Sequence, residues 1–155
     1  MKIELFETLQ KAIGTVIHCQ LMNISIVNAQ EGKLTLMLPY SGNILGDTHS
    51  GIIDGDVIDG GALTTLMDTA CAFAAATTQG DMAMTPTLDL RMDYIKPAVP
   101  GLNIIGEARA YQLSHKVIFA RGLAYHEGDR GNPIAHCSAS FIRIDENQNQ
   151  MNGGR

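Results

Sequence analysis

The sequence predicts an α+β fold in which several consecutive antiparallel strands curve round one buried helix. The first observation is a run from residue 61 to residue 78 that is apolar nearly all round and carries one charge, Asp68. A helix of this kind is expected to be buried on most of its sides. The second observation is a series of four strand-like runs behind it, at residues 84–95, 102–113, 116–125 and 134–144, which are separated by turn-forming residues.

The segment before the helix has its own elements. Residues 4–13 place apolar side chains at helical spacing and predict a short amphipathic helix that ends at Gly14. Residues 22–26 and 34–38 alternate apolar and polar side chains, which predicts two strands with a turn at Gly32.

A long loop rich in Gly and Asp follows from residue 41 to residue 60, and loops of this length in compact domains are usually functional or mobile. The segment Gln79-Gly80-Asp81 ends the helix, and a polar stretch begins at Asp145. With 155 residues the chain is long enough for one domain with a substantial core. We therefore expect a single domain over residues 1–144, with an N-terminal helix within residues 1–14, and a flexible tail over 145–155.

Composition excludes several classes of protein. The net charge of −5 argues against nucleic acid as the main partner. The charged fraction of only 17% indicates that copies of the chain cover part of its surface. The three cysteines, Cys19, Cys71 and Cys137, are scattered in apolar stretches without metal-ligand spacing, so we expect buried free thiols and no metal site. No signal peptide or membrane-spanning run is evident, which makes the cytoplasm the expected location and a membrane an unexpected partner.

The candidate site starts from Asp68. A carboxylate within an apolar helix is costly unless it is hydrogen-bonded, paired or used in chemistry. Upstream, Asp59-Gly60-Gly61 is a helix-start signature with exposed backbone donors. An acid and a set of helix N-terminal amides are the two parts that hydrolysis of an ester or thioester needs.

These features together resemble a known family. The loop, the two glycines, the apolar helix with one acid, and the stretch TLDLRMDYIKPA at residues 87–98 are similar to the hotdog-fold acyl-CoA thioesterases of the phenylacetate-pathway type. The resemblance covers roughly residues 34–144. It implies a hotdog fold, which is a curved antiparallel sheet wrapped around one long central helix, and homodimers that pair into homotetramers. It also implies hydrolysis of acyl-CoA without a metal or a bound cofactor, with Asp68 as general base or nucleophile and the Gly60 amide polarising the thioester carbonyl.

Spacing constrains how these two parts combine. Asp68 lies eight residues beyond Gly60, which places it about 12 Å further along the helix axis. One carboxylate cannot readily serve the helix-start amides of its own chain. We therefore expect each site to combine Gly60 of one subunit with Asp68 of another, across a two-fold axis.

The sequence departs from the family pattern at Asp59, where the family usually has His, and in an acidic loop that contains Asp47, Asp54 and Asp56. Asp59 has two interpretations. It is a favoured N-cap, or it faces the site and brings a second negative charge that repels an oxyanion. The second interpretation leaves open a non-catalytic acyl-CoA binding module. A hydratase or dehydratase of the same fold would need a working His, and the helix contains none; a structural dimer without a ligand is the remaining alternative.

The resemblance suggests further site residues. Thr87 matches a hydroxyl that orients water or the acid, although a strand-favouring Thr on the surface is an equal alternative. Arg91, Lys96 and Arg121 are candidates to meet the phosphates of coenzyme A, although exposed cations often serve only solubility. Asp59 and Gly61 complete the candidate substrate-binding set.

Overall fold

The described part of the molecule comprises residues 3–46, 57–80 and 82–144 of a computed structural model. The acidic loop with Asp47, Asp54 and Asp56, and the predicted tail at 145–155, lie outside the described residues. The predicted tail and domain boundaries therefore stay predictions.

The N-terminal segment forms two helices where the sequence predicted one. Helix α1 is Ile3–Thr15, close to the predicted bounds, and buries Leu9 and Ile13. A second helix, α2, spans Ile17–Leu21. It was not predicted because five residues are too few to display helical periodicity. The following strand begins at Ser25 rather than Met22, since Asn23 has a φ of 53° and turns the chain.

Six strands form one antiparallel sheet in the order β1-β2-β4-β5-β6-β3. The strands are β1 Ser25–Gln30, β2 Lys33–Leu38, β3 Thr87–Tyr94, β4 Ile104–Ser114, β5 Val117–His126 and β6 Ala135–Ile142. All four strands predicted after the long helix are present, and they begin and end within a few residues of the predicted bounds.

The long helix, α3, spans Gly60–Ala76 and packs on the inner face of the sheet. Two glycines allow a close approach. A Cβ at Gly106 would lie 2.9 Å from Leu66 Cγ, and one at Gly122 would lie 2.5 Å from Met67 Cε. Leu66 and Met67 are fully buried in this contact. The predicted arrangement of an antiparallel sheet around one long helix is confirmed.

The two edge strands of the sheet, β1 and β3, differ in what packs against them. The β1 edge packs against α1. The β3 edge has no neighbouring strand among the described residues, and large apolar side chains are exposed along it and at its ends: Met84, Leu88, Tyr94 and Ile95. An open edge of this kind is a template for pairing with another chain.

No helix in the described ranges has the length and apolar character needed to cross a membrane.

Candidate active site

Asp68 lies on α3 with its carboxylate bonded to the edge strand. Thr87 Oγ1, at the start of β3, donates to Asp68 Oδ1 at 2.9 Å. Within one protomer the acid is half-buried rather than buried as expected. The reason is its position on the helix, since it lies in a half-buried stripe with Thr64, Thr65 and Ala72 that is turned toward the edge strand β3 rather than toward the centre of the sheet.

A purely structural role within one protomer would bond Asp68 to Thr64 or Thr65. Both hydroxyls are engaged elsewhere, because Thr64 Oγ1 donates to the Gly60 carbonyl and Thr65 Oγ1 to the Gly61 carbonyl, each at 2.9 Å. Among the described residues, Thr87 is the hydrogen-bonding partner of Asp68. The acid therefore keeps acceptor capacity for a further donor, such as a water molecule.

Asp59 caps α3, as the first interpretation of the sequence predicted. Its Oδ1 accepts the Gly61 N–H at 2.6 Å, and its backbone carbonyl accepts the N–H groups of Ala62 and Leu63 at 3.1 and 3.4 Å. Its own N–H bonds the Ile44 carbonyl at 2.8 Å, which ties the cap to the preceding chain. The charge of Asp59 is thus directed at the helix start.

Gly60 retains the free amide at that helix start. The first four N–H groups of a helix lack intrahelical acceptors. Asp59 accepts the N–H groups of Gly61, Ala62 and Leu63, the last of them as the first helical bond, and among the described residues no acceptor is bonded to the Gly60 N–H. Gly60 is exposed, so this donor is open to a ligand. The Gly61 amide, suggested from sequence for substrate binding, is already occupied by the cap.

Tyr94 fixes the backbone around Gly60 and was missed by sequence reasoning. Its Oη donates to the Gly60 carbonyl at 2.8 Å and lies 2.7 Å from Thr64 Oγ1. The tyrosine was visible in the stretch at residues 87–98, but its role depends on β3 lying beside α3, which is a non-local contact. Strand β3 therefore contacts the helix at both candidate positions, with Thr87 at Asp68 and Tyr94 at Gly60.

The three candidate cations are not brought together. Arg91 and Arg121 point to the outer face of the sheet, whereas Asp68 lies on the inner side with α3. Arg91 pairs with Asp93 at 3.0 Å. Lys96 is exposed and lies two residues beyond Tyr94, at the end of β3 that approaches the helix start.

The cysteines are buried and free, as predicted. Cys71 Sγ lies 3.8 Å from Cys137 Sγ between α3 and β6. The hydrogen bond with Cys137, together with burial, raises the pKa of the Cys71 thiol. Since the thiolate is the reactive form, this thiol is not a nucleophile at neutral pH. Within the described ranges, no three His, Cys, Asp or Glu side chains gather as metal ligands do.

Comparison with known proteins is consistent with this geometry. The family model described as the thioesterase superfamily matches residues 55–132. A crystal structure of a protein from Pseudomonas aeruginosa is 42% identical, with a TM-score of 0.77 over 90% of this chain and 99% of that one.

Two more distant structures share the fold. The phenylacetic acid degradation operon protein PaaI from E. coli is 15% identical, with a TM-score of 0.76 over 92% of this chain and 94% of that one. A mutant of PaaI from Thermus thermophilus is 21% identical, with a TM-score of 0.67 over 81% of this chain and 97% of that one. No protein with a curated description matches the sequence. The predicted hotdog fold is confirmed by these structures.

Proposed function

Because the chain belongs to the thioesterase superfamily, we propose that it hydrolyses acyl-CoA thioesters to the free acid and coenzyme A. The observation that carries the proposal is the pairing of one open helix-start amide, at Gly60, with one carboxylate that a strand hydroxyl holds in place, at Asp68. The amide polarises the thioester carbonyl and stabilises the oxyanion. The carboxylate activates water or attacks the carbonyl carbon.

The two groups act from different protomers in this proposal. Within one helix they are separated by about 12 Å, which is too far for both to reach one carbonyl. The open edge of β3 and the half-buried stripe of α3 around Asp68 lie side by side, since Thr87 and Tyr94 of β3 contact that stripe. A two-fold contact through these surfaces would give two equivalent sites. We propose a homodimer assembled this way, which pairs further into a tetramer in the cytoplasm.

Hydrolysis is tested by incubating the protein with aryl-, short-chain and medium-chain acyl-CoAs and following the released thiol. We expect turnover of at least one class, and an Asp68→Asn variant should lose at least about a hundredfold in kcat, a typical contribution of a general base. Asp129→Asn is the matched control, since Asp129 lies in the turn before β6 and receives a side-chain bond from Asn132. An Asp68→Asn variant with native rates would remove the basis of the proposal.

Thr87 is a positioning residue in this scheme. Loss of a hydrogen bond to a charged group costs about 1.5–3 kcal/mol, and half-exposure of Asp68 places the effect near the lower end. We expect Thr87→Val to lower kcat about tenfold with little change in KM, and Thr87→Ser to restore it. Thr85→Val is the control, because Thr85 Oγ1 donates to the Ala72 carbonyl of the same helix and not to the carboxylate. Equal effects of the two valine variants would assign Thr87 to folding alone.

Shared sites are tested by mixing two inactive variants. Gly60→Pro removes the amide and Asp68→Asn removes the carboxylate. A mixed dimer of the two keeps one intact site if each site draws on both chains, so activity should return after the subunits are exchanged. If both groups came from one chain, the mixture would stay inactive.

A non-catalytic acyl-CoA binding module is the second candidate, and the orientation of Asp59 favours it. Its carboxylate lies at the helix start, where an oxyanion would form. An Asp59→Asn variant separates the two functions. If the native protein is such a module, calorimetry should show that it binds acyl-CoA, and the bound thioester should stay intact. If the charge of Asp59 is what suppresses hydrolysis, the Asp59→Asn variant should then hydrolyse acyl-CoA.

A further inference from the structure

A row of cations crosses the outer face of the sheet, on the side opposite α3. The strand register places Lys33 of β2 directly opposite Arg109 of β4, and Arg109 opposite Arg121 of β5. All three side chains are exposed. On both sides the row continues with polar residues, Gln30 on β1 and Ser138 on β6.

Acids on this face are engaged by other arginines. Glu107 accepts both Arg130 Nε and Nη2, at 2.8 and 2.7 Å, and the Arg130 guanidinium lowers the pKa of that carboxyl. Asp93 accepts Arg91. The exposed acid Asp89 lies on β3, two strands away from β5.

The three central cations thus have no carboxylate within ion-pair distance among the described residues. Arg121 has one other contact, with its guanidinium carbon 5.3 Å from the centre of the Tyr111 ring. Like charges that lie directly opposite each other on neighbouring strands destabilise a sheet. A bound anion would relieve the repulsion among these three cations.

The row also borders a depression of suitable size. Its volume is about 720 Å³, and it is lined by the three cations, by the ion pair of Glu107 with Arg130, and by hydrogen-bonding side chains: Asn28, Gln30, Thr35, His136 and Ser138. Cavities of this size hold small molecules. Neighbouring strands lie about 4.8 Å apart, so the three cations are attached along a line of roughly 10 Å. A linear anion matches this line better than a compact one, and the chain's net charge of −5 disfavours an extended nucleic acid.

We propose that this face is a binding site for a small linear polyphosphate, held by Lys33, Arg109 and Arg121. The sheet separates it from Asp68, so it is distinct from the proposed thioester site. Each phosphate oxygen accepts charge-assisted hydrogen bonds from the guanidinium and ammonium groups. Binding relieves the repulsion along the row and therefore stabilises the folded protein.

Calorimetry of the full chain at low ionic strength, with inorganic tripolyphosphate and with ATP as probes, tests the site. We expect saturable binding that weakens with added salt. Arg109→Gln and Arg121→Gln should each weaken binding about tenfold or more. Lys11→Gln, which removes an exposed charge from α1, should leave binding unchanged. The rise in Tm on adding either probe should be smaller in Arg109→Gln and in Arg121→Gln than in the native protein, and unchanged in Lys11→Gln. Tighter binding of ATP than of tripolyphosphate would assign part of the affinity to the nucleoside.

Three results would overturn the proposal. The first is no binding of either probe. The second is binding that is insensitive to Arg109→Gln and Arg121→Gln, which would locate the anion elsewhere. The third is binding that is lost in Gly60→Pro, which would place the polyphosphate in the thioester site. Sedimentation of the same variants serves as a further check, because an outer face covered by a second copy would exclude both probes. None of these outcomes depends on whether thioesters are hydrolysed.

Discussion

Replacing Gly60 with proline removes one hydrogen-bond donor from the candidate site and leaves the helix intact. Gly60 is the first residue of α3, and proline is well tolerated at this position because its missing N–H has no helical acceptor there. The preceding residue, Asp59, has φ −63° and ψ 130°, the extended conformation that a following proline requires. The cap bond from Gly61 to Asp59 involves a different amide and is retained.

The magnitude follows from the number of free donors. Asp59 accepts three of the first four amides of α3, so Gly60 supplies the remaining one. Loss of one oxyanion donor typically lowers kcat by about 10²–10³, which corresponds to about 2.7–4 kcal/mol. We therefore expect the Gly60→Pro variant to lose nearly all amide-dependent stabilisation of the transition state.

Gly60→Ala is the matched control. Both variants introduce a Cβ that meets Tyr94 Oη at 3.3 Å, so they share this steric cost, but alanine keeps the N–H. The assay compares kcat of the two variants on the best acyl-CoA, with Tm recorded to verify folding. A proline variant within a factor of about three of the alanine variant would refute the assignment of the amide.

Two further predictions concern stability. Gly122→Ala should lower the free energy of unfolding in urea by about 1–3 kcal/mol, because its Cβ would lie 2.5 Å from the Glu107 carbonyl oxygen and from Met67 Cε. Gly131→Ala is the control. Its Cβ would meet nothing within 4 Å, so its free energy of unfolding should stay within about 0.5 kcal/mol of that of the native protein. Arg130→Gln should lower Tm at neutral pH, with a difference that shrinks as the pH falls below 4.5. The guanidinium lowers the Glu107 pKa from 4.5, so the contribution of the pair is present above that value and disappears as the carboxyl is protonated. A Tm difference that stays constant as the pH is lowered from 7 through the acid range would contradict this cause.

The parts of the site that sequence predicted are those encoded locally. The Asp59 cap depends on residues one to four positions away, and α3 with its lone acid follows from an uninterrupted apolar run. The strands after α3 were visible because turn residues separate them. Helix α2 was missed because it is short. The start of β1 was placed too early because the sequence does not show that Asn23 adopts the left-handed conformation, with φ 53°, that turns the chain before the strand.

The remaining features depend on which strands are neighbours. The sequence offered Arg121 as a candidate to meet a phosphate of coenzyme A, and it did not indicate that Arg109 and Lys33 follow Arg121 across the outer face of the sheet. The contact of Tyr94 with Gly60 joins residues 34 positions apart. Periodicity within a strand indicates which side chains share a face, and it does not indicate which partner lies across from them.

Thr87 and Tyr94 both lie on β3, an edge strand with no second neighbouring strand among the described residues, so the proposed activity should depend on protein concentration. If that edge is where a second copy attaches, dissociation on dilution would both divide each site and loosen the strand that holds the amide and the acid. Specific activity would then fall in proportion to the fraction of dimer, and assays at nanomolar enzyme would underestimate turnover.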